Sequence, residues 1–231
     1  MNGRFNDREI KKYYEDAFAG FEQRSDTKKL IASLPDGVTL RDLIEKGKRE
    51  FGEHIDPLTY VANLAAERAN LTPAEVGNIV HRIAELRTLY ARPDEILEGV
   101  RLVEQRINFI KDGEQRHVEI DTVIRRGDKH YLRDYKPINL GDFERTEAGK
   151  QWAAWMESHI GKNFRERIKM GLNPFVKGQS KEIRDSLQEF LKEATKRHKE
   201  KLDKYRSLYI EANNLNPQLV QVHVRPYFLY R

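Results

Sequence analysis

The spacing of apolar residues changes period twice along this chain. Up to about residue 90, apolar positions recur every three or four residues, the interval that gives a helix one buried face. Asp56-Pro57 precedes LTYVANLAAERANL, a capping acid followed by a proline whose fixed φ suits the first helical turn. Thr72-Pro73-Ala74-Glu75 repeats the signal as a capping box. The helix it opens carries Ile79, Val80, Ile83, Leu86, Leu89 and Tyr90 as an apolar stripe. Pro93 starts a further helix, predicted through Arg106, with Ile96, Val100, Val103 and Ile107 on one side.

Beyond it the period drops from 3.6 to 2. INFI, HVEIDTVIR and KHYLRDYK read as three strands, separated by KDGEQ and by a turn at Arg126-Gly127-Asp128-Lys129. Gly127-Asp128 suits a two-residue hairpin loop. From Phe143 the helical period returns, with Trp152, Trp155, Met156, His159 and Ile160 on a shared side. A long charged helix is predicted from about 181 to 211, and VQVHVRPYFLY reads as a last strand, while 161 to 180 fit no single pattern. The expectation is a chain of mixed helix and strand in one compact unit. Residues 1–90 form a helical N-terminal region, and 91–231 form a core with a helical insertion over about 161–215.

The hairpin concentrates carboxylates. Pairing outward from Arg126 opposite Lys129 sets Asp121 opposite Asp134 and Glu119 opposite Lys136. Alternation then puts Glu119, Asp121, Asp134 and Lys136 on one face, with Val123 and Leu132 nearer the turn. Directly opposed residues hold their Cβ atoms roughly 4.5 to 5.5 Å apart, and like charges so placed weaken a sheet. A divalent cation offsets that repulsion, and Lys136 beside it could activate a water or stabilise charge on a phosphate. The plain alternative is a solvated hairpin face with a Glu-Lys cross-strand pair and two exposed aspartates.

Composition narrows the chemistry. The 231 residues hold one good-sized domain or a small core with a helical annex, and 34% charged against 39% hydrophobic suits a folded chain in water rather than a disordered one. With no cysteine, disulfides, thiolate zinc sites and cysteine-held iron-sulfur clusters are excluded, so any metal sits on Asp, Glu, His or carbonyl oxygen. Mg2+ or Mn2+ is then the natural cofactor. A net charge of +5 favours a polyanionic partner. No apolar run approaches the roughly 20 residues that cross a bilayer. MNGRFNDREIKKYYEDAF also lacks the apolar segment of a secretory signal. The expectation is a cytoplasmic protein without a membrane partner, with delivery as a toxin domain left open.

The string VEIDTVIRRGDKHYLRDYKP resembles the two central motifs of the PD-(D/E)XK nucleases, an Asp on one strand and Asp-x-Lys on the next, here Asp121 and Asp134-Tyr135-Lys136. KQWAAWM is similar to the Q-x-x-x-Y motif of the RecB-like branch, with Gln151 matched and Trp155 where Tyr is usual. GNIVH looks like that branch's G-x-x-x-H helix motif, giving Gly77 and His81, and Glu104 resembles the acid just before its first core strand. The likeness covers roughly residues 77 to 155. Val118 stands where the family usually has Gly, and the branch members with iron-sulfur clusters are excluded.

The resemblance implies an α/β (α+β) fold: a mixed central sheet in α-β-β-β-α-β order flanked by helices, with an N-terminal helical region and a long helical insertion before the last strand. It implies metal-dependent cleavage of phosphodiester bonds, of DNA ahead of RNA. Asp121, Asp134, His81 and the backbone carbonyl of Tyr135 would hold Mg2+ or Mn2+. Lys136 would help the nucleophile, Gln151 would position substrate or lysine, and Glu104 would complete the catalytic set.

Other residues admit two roles each. His81 lies four residues before Glu85, so the two share a helix side, and Gly77 one turn earlier leaves room for close approach. A lone helical histidine also serves structure. Glu104 and Glu119 suit surface ion pairs as well as a site, and Trp155 suits base stacking or core, whereas Trp152 is expected in the core. The run from Lys192 to Arg206 mixes signs as a solvated helix face does, and His198 and His223 have no companion in sequence. Two further functions stay open, an RNA-cleaving toxin and a catalytically inert nucleic-acid-binding protein with a nuclease-like core.

Overall fold

The computed structural model describes residues 7–46, 56–91 and 105–231. Helices α1 (Asp7–Glu22) and α2 (Ser25–Ala32) and a π-helical turn (Asp42–Lys46) precede α3 (Pro57–Glu67) and α4 (Pro73–Ala91). The two boundaries marked in sequence close as their side chains dictate. Asp56 Oδ1 accepts the Leu58 N–H at 3.2 Å, and Glu75 Oε2 accepts the Thr72 N–H at 2.8 Å while Thr72 Oγ1 accepts the Glu75 N–H at 3.3 Å. The stripe on α4 is buried at Ile79, Val80, Ile83 and Leu86; the side chains of Leu89 and Tyr90 lie outside the described set.

Among the described residues five strands follow in two sheets. β1 (Gln105–Lys111) and β2 (Glu114–Ile120) form an antiparallel ribbon, whose turn places Asp112 and Gly113 at φ 56° and 79°, the left-handed pair that a tight hairpin needs. β3 (Thr122–Arg126), β4 (Lys129–Asn139) and β5 (Val220–Leu229) form the second sheet in that order. β3 and β4 are antiparallel, and β5 lies parallel to β4. A parallel neighbour requires a long crossover. Here it is α5 (Leu140–Glu144), α6 (Glu147–Ile160), α7 (Phe164–Lys169) and the 33-residue α8 (Lys181–Asn213).

Two sequence expectations are corrected. The helix predicted through Arg106 has given way to β1 by Gln105, and residues 93–104 lie outside the described set. The single strand expected over 117–125 breaks at Asp121, so that β2 pairs with β1 and β3 with β4. Alternation of apolar residues cannot register such a change of partner, because both halves keep a period of two.

The three-stranded sheet is covered on both faces. On one, Tyr135 of β4 and Tyr227 of β5 join the core of the N-terminal helices, with Leu30, Ile79, Val80 and Ile83. On the other, α8 runs back over β4: His130 Nδ1 meets the Tyr209 hydroxyl at 2.8 Å, Leu132 packs with Leu202, and Ile138 shares a cluster with Leu187. Trp152 is fully buried in that last cluster, its ring against Phe143 and Phe164, as the helical spacing of α6 predicts. Helix α3 covers one end of the β5 edge: Thr59 Oγ1 accepts the Phe228 N–H (3.0 Å), and Asn63 bonds both the Phe228 carbonyl (2.7 Å) and the Tyr230 N–H (3.2 Å). These bonds explain why two polar side chains lie buried on that helix. No helix of the described residues is long and apolar enough to cross a membrane.

Candidate active site

The β3–β4 hairpin has the register deduced from its turn. Arg126 lies opposite Lys129, pairing runs out to Thr122 opposite Arg133, and Gly127 takes the left-handed φ of 57° that the loop requires. Asp121 sits one residue beyond the last pair, in the bend where the chain leaves β2. From there its carboxylate accepts the Tyr135 N–H at Oδ2 (2.9 Å), and the same oxygen lies 3.3 Å from Nε2 of His81 on α4. A backbone bond and an imidazole thus fix Asp121 from two sides.

Asp134 lies within hydrogen-bonding reach of Asp121. Burial, followed by the hydrogen bond and charge of Asp121, pushes its carboxyl up to about 7, while Lys136 and His198 pull the other way. Lys136 follows two residues later on the same face of β4. The Tyr227 hydroxyl is also held above its ordinary range, first by burial and then by the charges of both aspartates. Hence the structure brings together Asp121, Asp134, Lys136 and His81, with the Tyr135 backbone bonded to Asp121. In a strand a residue's N–H and C=O leave on the same side, so the Tyr135 carbonyl shares the direction of its N–H.

Sequence reasoning missed His198. It is one helical turn before Leu202, which packs with Leu132, and so comes over Asp134 two residues along β4. Burial and the Lys136 charge lower the pKa of its imidazole, and Asp134 raises it. Nothing in the alternation of α8 marks this turn of the helix as the one crossing the acids; a reader of the sequence would need the helix-to-strand docking first.

Other expected site residues lie elsewhere. Glu119 belongs to β2, opposite Arg106 of β1 rather than Lys136. Its carboxylate pairs in solvent with Arg106 Nε (2.9 Å) and His117 Nε2 (3.5 Å), because the strand break at Asp121 carries it off the hairpin. Gln151 is exposed on α6 and makes no hydrogen bond to Lys136 or either aspartate among the described residues. Trp155 is half-buried, stacked on His159 with centroids 4.1 Å apart, and packs at the edge of the α6–α8 core. A Cβ at Gly77 would meet nothing within 4 Å, so no segment among the described residues approaches it closely. Glu104 lies outside the described residues.

Glu85, one turn after His81, is only 4% exposed, and burial pushes its carboxyl up to about 7 even though Arg82 Nη1 stands 3.2 Å away. A carboxyl raised in the fold keeps its proton to higher pH than in the unfolded chain. Stability therefore falls as pH climbs from 4.5 to about 7, and the full cost remains above that window. Glu85→Gln removes the charge and keeps the shape. It is expected to gain roughly 2 kcal/mol at about pH 8 and nothing near pH 4. Thermal melts at the two pH values check this; a variant less stable at the higher pH would mean that Arg82 fully compensates the buried charge.

Among the described residues no group of three or more His, Asp and Glu side chains is arranged to enclose a metal ion. Mg2+ is ordinarily held by one or two carboxylates, with water and substrate phosphate filling the remaining positions. The donors here fit that mode: two hard carboxylates, of which Asp134 is raised first by burial and then by Asp121, and a carbonyl directed to the same side. Comparison with family models, with curated proteins and with solved structures finds no match.

Proposed function

We propose that this chain is a divalent-metal-dependent nuclease of the PD-(D/E)XK kind, hydrolysing phosphodiester bonds of DNA. The observation that carries the reading is the close pair Asp121 and Asp134, taken from a strand bend and a neighbouring strand, with Lys136 on the same face. Mg2+ or Mn2+ bound there would acidify the attacking water and polarise the scissile phosphate. The chain's own residues do the rest. The Tyr135 N–H and His81 hold Asp121 in one orientation through Oδ2 and leave Oδ1 for a cation. The Lys136 ammonium, on the face of Asp134, would donate to a non-bridging phosphate oxygen as the water oxygen bonds to phosphorus and gives its proton to solvent, while the bond to the leaving sugar oxygen breaks and that oxygen takes a proton from solvent. His198, on the opposing helix, faces the same space and can hydrogen bond the phosphate or the water. The net charge of +5 favours approach of a polyanion.

The test is incubation of the intact protein with supercoiled plasmid, linear single-stranded DNA and RNA, each with Mg2+, Mn2+ or EDTA. Cleavage of DNA is expected with either ion and not with EDTA, and Lys136→Ala should slow it by roughly 100-fold. Cleavage of RNA alone would replace the substrate. Retarded migration of all three with no cutting in either metal would replace the enzyme with a binding protein.

A further inference from the structure

A cavity with charged and apolar walls lies one strand away from Asp134 and Lys136. It is a cleft of about 460 Å³ at the free edge of β5, between the start of α3, the chain after α7 and the middle of α8. Two arginines line it, Arg87 of α4 and Arg225 of β5, against one carboxylate, Asp56. That carboxylate is already engaged: Oδ1 accepts the Leu58 N–H (3.2 Å) and Oδ2 the Thr59 hydroxyl (2.7 Å). The Arg225 guanidinium reaches it only at 4.0 Å and makes no hydrogen bond among the described residues. Arg87 is held in place through Nη1, which donates to the carbonyls of Leu43 (2.9 Å) and Ile44 (3.1 Å).

Two guanidiniums facing one cavity repel each other, and burial together with Arg225 lowers the pKa of Arg87. Such a pair is relieved by an anion, and the planar fork of arginine matches phosphate oxygens in particular. Asn173, whose Oδ1 accepts the Phe175 N–H (2.9 Å), adds an NH2 donor, and Phe175 and Phe228 supply apolar wall. The edge itself is kept from pairing with another strand by Pro226, which has no N–H to offer. Arg225 lies beside Tyr135 and Pro226 beside Lys136 in the parallel register, about 4.8 Å from strand to strand.

We infer that this cleft binds the phosphate of a nucleotide, with Arg225 gripping the phosphate oxygens, Arg87 backing the charge, and the sugar and base against Phe175. It rests on the nuclease reading for the strand to which that phosphate belongs: Arg225 shares the sheet face of Tyr135, opposite that of Asp134 and Lys136, so such a strand would pass round the β5 edge to reach the acids.

Calorimetric titration in EDTA, with thymidine 5′-monophosphate, thymidine and inorganic phosphate as probes, tests the cleft apart from any metal. The monophosphate is expected to bind at least about tenfold tighter than thymidine, and Arg225→Ala to lose roughly 10- to 100-fold of that affinity. Asp134→Asn should leave it unchanged. Arg225 is 48% exposed at its side chain, so its loss leaves the core intact, and an unaltered melting temperature verifies this. A decamer with a 5′-phosphate that binds better than its 5′-hydroxyl counterpart assigns the subsite to a strand end, whereas equal binding that still needs Arg225 assigns it to an internal phosphate. Equal affinity for monophosphate and nucleoside, or an isotherm that Arg225→Ala does not alter, overturns the inference. Cleavage without Arg225-dependent binding removes the cleft alone; Arg225-dependent binding by a protein that cuts nothing removes the nuclease reading alone.

Discussion

Asp134→Asn is expected to reduce cleavage by about 10³-fold or more while making the protein more stable at alkaline pH. The two effects share one cause. Asp134 is mostly buried and faces Asp121, and its carboxyl sits at about 7 rather than 3.8. A carboxyl raised in this direction holds an extra proton in the fold between those values, so stability declines as pH rises through the window and the cost is fully present above it. Asn keeps the shape and removes the charge, relieving about 1–2 kcal/mol after allowance for partial solvent screening. The same charge is what a divalent cation needs. Melts in EDTA at about pH 5 and pH 8, together with the plasmid assay in Mn2+, check both halves. A variant that is stabilised yet still cuts at the wild-type rate would take Asp134 out of the site; one that is destabilised at pH 8 would show that Asp121 and Asp134 are already compensated within the protein.

Gly149→Ala should destabilise the fold by about 3 kcal/mol, against the usual helix propensity. An alanine in the first turns of a helix normally gains up to about 1 kcal/mol over glycine. At this position a Cβ would come within 1.8 Å of the Phe143 carbonyl oxygen and 2.8 Å of the Glu144 Cα, both backbone atoms that cannot rotate away. The contact arises because Thr146 caps α6 directly after α5 ends at Glu144, its hydroxyl accepting the Gly149 N–H (3.0 Å) and donating to Phe143 O (2.7 Å). The α5–α6 corner closes only over a hydrogen atom. Opening it disturbs Phe143 and Trp152, whose rings pack at a tilt of 56° in the core beneath. A fall in melting temperature of roughly 6–12 °C is expected; an equal or higher value would mean that the corner relaxes at little cost.

The parts legible from sequence are those set by interactions local in the chain. The caps at Asp56 and Thr72, the stripe of α4, the turn at Gly127 and the register from Arg126–Lys129 to Thr122–Arg133 all follow from residues a few positions apart. Asp121 and Asp134 come together because a tight turn counts outward along two strands, and counting needs no tertiary knowledge. Glu119 shows where the counting ends. One bend at Asp121 passes the strand to a new partner, and that bend is held by the Tyr135 N–H, fourteen residues on.

Whatever depends on one element docking over another was decided only in three dimensions. His198 reaches the acids because Leu202 and Tyr209 pin α8 against Leu132 and His130. The Arg87–Arg225 cleft exists because α4 and β5, far apart in the chain, meet at a sheet edge. Amphipathic spacing tells a helix which face to bury but not which residue of the partner it will cover, since burial of apolar area is nearly indifferent to a shift of one turn. Only the simultaneous packing of both faces of the sheet selects a single alignment, and the side chains beside the carboxylates are chosen with it.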